Sequence, residues 1–198
     1  MAQINLYYKT QLETKVSLLP EQINGNMDNN ILNNLRVKVE GKIDENGIVI
    51  RINKLIDYNY GMIDKTNFMG TTVYTVKYEC LLCSPIKSLE IIGIVDNIVK
   101  GYIIGRNGPV IIVVEFNNIN SQIFEISNNT IVDLHTKKPI EKGNYIKVSI
   151  ININNNLGEK NMVVMCKLLS LASEDEITHF NEEQHLISGN NDTNQEFI

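Results

Sequence analysis

The chain has 198 residues, 43% of them apolar, and a formal net charge of -5, enough for one ordinary domain or two small ones with a buried core in each. No apolar run reaches the roughly 18 residues that span a bilayer, and the N-terminus lacks the basic-then-apolar layout of a secretory signal, so a soluble intracellular protein without membrane contact is expected. The charge is uneven: residues 1–85 carry nine basic and nine acidic side chains, residues 86–172 nine and seven, and residues 173–198 none and seven. That last segment is expected to be an acidic disordered tail, because it has too little apolar surface to offset the entropy of ordering.

In chain order, Pro20 precedes EQINGNMDNNILNNL, where Met27, Ile31 and Leu35 recur at intervals of four and predict a short helix packed on a sheet. LRVKVEG then alternates, with Leu35, Val37 and Val39 opposed to Arg36, Lys38 and Glu40, as a strand with one buried face does. The turn IDENG, with Asn46-Gly47 tolerating positive φ, leads into IVIRINKLI, so these two runs are predicted to form a hairpin. In TVYTVKYECLL, Tyr74, Val76, Tyr78, Cys80 and Leu82 share a face, and Pro85 ends the strand. From Leu89 onward come five short strands: LEIIGIVDNIV, GYIIGR, VIIVVEF and, after a long polar loop, NYIKVSII and MVVMCKLL. Their spacing predicts a small closed or nearly closed barrel. The fold class expected is therefore a sheet with a short helix over residues 1–85 and an all-β barrel over residues 86–172.

Catalytic and cofactor motifs are weak. Gly101, Gly105 and Gly108 follow G-x3-G-x2-G, which is neither a P-loop nor a dinucleotide fingerprint, and a strand follows them rather than a helix. They read better as barrel bends. Cys80 and Cys83 have the spacing of half a zinc site, but in an extended strand residues three apart face opposite ways, and Cys166 and the histidines do not complete a set. His179 and His185 flank Glu182 and Glu183 without forming a metal motif. No nucleophile elbow is present. No metal, cofactor or catalytic residue is expected. Tyr102, Ile104 and Arg106 share one strand face, Lys100 enters it, and Lys137 and Lys138 lie in a later loop. A tyrosine with flanking cations can hold single-stranded nucleic acid by stacking and phosphate contact. The same residues can equally be packing and solubilising groups.

VSLLP (16–20), VEG (39–41), NGIVIRI (46–52), GTTVYTVKYECLLCSP (70–85), EIIGIVDNIVKGYII (90–104) and GP (108–109) occur in an order and spacing that resembles the seventh-largest subunit of eukaryotic RNA polymerase II and its archaeal counterpart. The resemblance spans residues 1 to about 172. It implies a truncated ribonucleoprotein-like N-terminal domain docking on the polymerase core, followed by an S-one-type oligonucleotide-binding (OB) barrel. It further implies a non-catalytic stalk subunit that guides nascent RNA, with large and small core subunits as partners and a fourth-largest-subunit-like chain as a further one. Carried over by position, Pro20, Ile23, Asn24, Gly25, Asn46 and Gly47 belong to core-docking or interdomain surfaces, and Lys100, Tyr102 and Arg106 to the RNA-facing strand. Cys83 stands where the family commonly has an aromatic, and Ser88-Leu89-Glu90 where it has a Gly-Glu pair. This drift suggests a divergent polymerase, such as that of a large cytoplasmic DNA virus, acting in the viral factory and virion. A non-viral chain would be nuclear. A free single-stranded RNA-binding protein or translation factor is the alternative.

Overall fold

The computed structural model describes residues 5–63, 70–127, 130–134 and 137–188. The chain divides into two units, Met1–Ser84 with Asn156–Lys160, and Pro85–Asn155 with Asn161–Ile198.

The first unit contains β1 (Tyr7–Leu18), α1 (Met27–Val39), β2 (Ile48–Tyr58), the two-residue β3 (Met62–Ile63) and β4 (Thr72–Cys83). β4 is central, with β1 and β2 on either side and β3 also on β4, all antiparallel. β1 alternates cleanly, so that Leu12, Val16 and Leu18 lie opposite Tyr78, Tyr74 and Thr72. Tyr74, Val76, Tyr78, Cys80 and Leu82 are all buried, as their period of two predicts, and they form the floor on which Ile31 and Leu35 of α1 pack.

The predicted hairpin is not formed. LRVKV is the last stretch of α1, where Leu35 is fully buried and Val37 is 78% exposed. The short run fits both periods, and the core decides between them: a strand would turn Leu35 and Val37, two apart, to the same side, whereas the helix buries Leu35 with Ile31 and turns Val37 to solvent. The helix ends where Glu40 turns extended, with its N–H still bonded to the Arg36 carbonyl at 3.0 Å. β2 pairs with β4 instead, and it does so through three register shifts, so Val49, Ile52, Leu55 and Tyr58 meet Leu82, Cys80, Tyr78 and Val76. Each bulge adds a residue, which converts the inward spacing from two to three. In the turn before β2, Asp44 Oδ1 accepts from the N–H groups of Asn46 (2.7 Å) and Gly47 (3.1 Å). Residues 156–160 complete the unit: Gly158 N–H donates to Ile43 O, and Ile43 N–H to Glu159 O, each at 2.9 Å.

The second unit contains β5 (Glu90–Val99), β6 (Tyr102–Asn107), β7 (Val110–Ile119), β8 (Phe124–Ser127), β9 (Thr130–Asp133), β10 (Tyr145–Asn154), β11 (Met162–Leu171) and α2 (Glu174–Ser188). β10-β11-β7-β6-β5 close into a barrel. β7 and β11 are parallel and the other neighbours antiparallel. Counted from the first barrel strand the order is 1-2-3-5-4, returning to 1, which is the OB arrangement. Alternate residues fill the interior, among them Ile91, Val95, Ile103, Ile112, Val114, Ile146, Val148 and Val164.

Two expectations change here. The long polar loop after β7 holds the β8–β9 hairpin, in which Phe124 and Ile131 are buried. The predicted disordered tail is in large part α2, and residues 189–198 lie outside the described residues. Ser173 and Glu176 form a capping box: Glu176 N–H donates to Ser173 Oγ at 3.3 Å, and Ser173 N–H to Glu176 Oε2 at 2.9 Å. Phe180 is 2% exposed and meets the Tyr145 ring edge-on, with centroids 5.7 Å apart. Lys147 Nζ bridges Glu90 of β5 (3.1 Å) and Glu176 of α2 (3.0 Å). The Ser173 N–H and the Lys147 ammonium hold the Glu176 carboxyl below its ordinary range, while burial pushes the Glu183 carboxyl up. The acid count of the segment concealed an apolar stripe with a proper helix start.

A candidate nucleic-acid face on the barrel

The outer face of β6 and β7 is built by pairing. Tyr102 lies opposite Glu115, Ile104 opposite Val113, and Arg106 opposite Ile111. On the other side Tyr102 meets Val99 and Arg106 meets Ile94. Ile103, between them in sequence, points into the barrel and is fully buried, so period two leaves Tyr102, 41% exposed, facing outward. Lys100 is exposed in the β5–β6 turn. The structure thus brings Lys100, Tyr102 and Arg106 to one face. Lys137 and Lys138 follow β9 instead: the Lys137 N–H donates to the Asp133 carbonyl at 2.8 Å, and the Asp133 N–H to the Lys138 carbonyl at 3.0 Å. They belong to the hairpin rather than to the paired strands that carry Tyr102.

The glycines of this region are structural. Gly101 and Gly108 sit in the two turns with φ of +88° and +54°, and a Cβ on Gly105 would lie 2.9 Å from the Ile94 carbonyl oxygen. They allow tight turns and close strand approach, and no phosphate cradle forms.

Charge on this face nearly cancels. Arg106 Nε is 3.1 Å from Asp96 Oδ2, and Glu115 stands across from Tyr102. Beside Tyr102 lies an open pocket of about 280 Å³ lined by Gly101, Tyr102, Glu115, Phe116 and Asn117. The Phe116 N–H donates to the Gly101 carbonyl at 2.9 Å, tying its floor to the β5–β6 turn. Glu115 was invisible as a site residue in the one-dimensional sequence because only the register places it beside the tyrosine.

In the first unit, Pro20, Ile23, Asn24, Gly25 and Asn46 are exposed. Gly47 is buried, and a Cβ there would sit 2.3 Å from the Cys83 carbonyl oxygen. Close backbone approach requires a glycine at this position. The Pro20–Gly25 turn is locked from within. The Gln22 and Asn34 amides bond reciprocally at 3.3 and 3.1 Å, Asn34 Nδ2 donates to the Ser17 carbonyl at 2.9 Å, and Asn30 Nδ2 to the Gln22 carbonyl at 2.8 Å.

Cys80, Cys83 and Cys166 are all buried. Burial pushes the Cys80 thiol up to about 11 and the Cys166 thiol up to about 12, which keeps both as thiols at neutral pH. Among the described residues, no group of three His, Cys, Asp or Glu side chains is arranged to hold a metal ion, and no helix is long and apolar enough to cross a membrane.

Residues 13–64 match the family model described as the SHS2 domain found in the N terminus of Rpb7p/Rpc25p/MJ0397. The whole chain is 54% identical over 199 residues to a protein of Acanthamoeba polyphaga mimivirus named "Putative DNA-directed RNA polymerase subunit", with all of both chains covered.

Proposed function

This chain belongs to the family of the seventh-largest subunit of RNA polymerase II, as a divergent member with a viral relative, and on that premise we propose that it is a non-catalytic stalk subunit of a multisubunit DNA-directed RNA polymerase. In this reading the first unit docks on the core near the clamp against large and small core subunits, and the barrel guides nascent single-stranded RNA. The subunit carries no active site of its own. A fourth-largest-subunit-like chain is its further partner, and it works in the cytoplasmic factory and virion of a large DNA virus. The observation that carries the reading is the full-length identity to a chain named as a polymerase subunit.

The first unit offers a surface of the right kind for docking. β1 ends at Leu18, opposite Thr72, and Thr72 is in turn opposite Ile63. The Leu19–Gly25 turn and residues 60–63 therefore lie at the same end of the sheet. Leu19 is 42% exposed, Ile23 41%, Met62 70%, Ile63 63% and Tyr60 97%. An apolar cluster exposed on one sheet end supports contact with another protein.

A tagged chain isolated from cells that make the polymerase is expected to co-purify with the large polymerase subunits, and Ile23→Asp with Met62→Asp to reduce that recovery. Recovery of the chain alone at mild salt overturns the reading. Recovery with RNA but without polymerase subunits favours a free RNA-binding protein.

A further inference from the structure

We propose that the pocket beside Tyr102 selects guanine from single-stranded RNA, with Glu115 as the residue that reads the base. The proposal rests on the reading that this barrel binds RNA and says which base its exposed pocket prefers.

A nonspecific RNA face is expected to be cationic throughout, because phosphate contacts supply most of the affinity. This one is not. Arg106 is engaged by Asp96, and the residue placed directly across from the exposed tyrosine is a carboxylate. A carboxylate beside a stacking ring disfavours a phosphate there, but it offers two oxygens that accept hydrogen bonds. Among the four bases, guanine alone presents two adjacent N–H donors on its Watson–Crick edge, N1–H and the N2 amino group. These match the two oxygens of Glu115 in a charge-assisted, bidentate arrangement. Cytosine and adenine present one amino group next to a ring acceptor, and uracil one N–H between two carbonyls that a carboxylate repels. Asn117, which lines the same pocket, carries an amide that can donate to guanine O6. Tyr102 supplies the stacking surface. The volume of about 280 Å³ falls just below the roughly 300–1,000 Å³ range of small-molecule sites, a size for one nucleoside rather than two.

Glu115 thus trades general affinity for selectivity, the effect of a repulsive element placed against unwanted partners.

The test measures fluorescence anisotropy of the full chain with three short labelled RNAs: an oligouridylate, the same oligomer with one central guanosine, and the same with inosine at that position. The guanosine oligomer is expected to bind about 5- to 150-fold more tightly than the oligouridylate, the range of a good bidentate base contact. Inosine, which lacks the N2 amino group, should fall between them. Glu115→Gln, which replaces one accepting oxygen with a donor, is expected to remove the difference. Equal binding of all three RNAs, or a guanosine preference that persists in Glu115→Gln, overturns the guanine assignment while leaving RNA binding intact. Absence of binding to any of them overturns the RNA-binding reading and the assignment with it.

Discussion

Tyr102 and Arg106 share a strand face, yet their neighbours set them different tasks. Tyr102 is 41% exposed beside an open pocket, so Tyr102→Ala is expected to weaken single-stranded RNA binding by roughly 1–3 kcal/mol with little change in melting temperature. Unchanged affinity with a lowered melting temperature would mark the ring as packing. Arg106 already has Asp96 as a partner at 3.1 Å, and such exposed pairs contribute little to stability. Glu183 carries a pH signature. Burial against α2's packed side raises its carboxyl above the ordinary value, so above the folded-state pKa its charge costs stability, and as pH falls toward the unfolded value the folded state takes up the proton first and stability is regained. Glu183→Gln is therefore expected to raise the melting temperature at neutral pH, with the gain shrinking to nothing below about pH 4.3. A gain that is constant with pH would show that the charge is not the cause. Tyr102's outward direction was legible from alternation alone, whereas Glu115 and Asp96 required the register, which no single stretch of sequence contains.

At the scale of elements, the assignment of residues 35–39 to a helix is open to a direct mutational check. Leu35→Ala is expected to cost about 2–5 kcal/mol as a buried truncation, and Val37→Lys no more than about 0.5 kcal/mol as a surface change, both read by denaturant unfolding. Comparable losses would restore the strand, since there both residues would face the core. Several elements lay open in the sequence and others did not. β1 was not among the predicted elements, although its sequence alternates from Lys9 to Leu18. IVIRINKLI reads as the strand it is, but its partner was hidden, because the bulges of β2 replace a period of two by one of three and it pairs with β4 rather than with the segment before it. The asparagines around α1 look like compositional noise that weakens a helix. In the fold, the Asn30 and Asn34 side chains reach from the helix to hold Gln22 in the Pro20–Gly25 segment, and Asn34 also holds the end of β1 at Ser17. The Ser173-x-x-Glu176 signature of α2 was present in the sequence, but net charge over the segment outweighs it in any compositional reading.

Over the whole molecule, charge and function pull apart. Residues 1–172 hold all 18 basic side chains and 16 of the 23 acidic ones, and the remaining seven acids follow residue 172. The candidate RNA face gains little from this, because its two nearest cations, Lys100 and Arg106, are offset by Asp96 and Glu115. The logarithm of the RNA binding constant is therefore expected to fall with log salt at a slope of about -0.7 if Lys100 alone meets a phosphate, and about -1.4 if Arg106 leaves Asp96 to do so. Titrations at several salt concentrations decide between them, and a slope several times steeper would place the RNA elsewhere. The barrel itself was legible as five strands with glycine turns. Its closure was expected from the same spacing, but the strand order was not, because the parallel β7–β11 contact joins segments about fifty residues apart, and loop composition says nothing about which distant edge a strand meets.

The clasp of Lys147 has a consequence for how the protein is made. Its ammonium joins β5 and β10 where the barrel closes, and its second anchor, Glu176, lies beyond every barrel strand in the chain. During synthesis from the N-terminus, the seam is therefore laid down before its lock is translated. A nascent chain held at residue 172 has every strand of the barrel and is expected to hold its β5–β10 edge more loosely. Protection of β5 and β10 amides from exchange should sharpen only once the segment carrying Glu176 and Phe180 has left the ribosome.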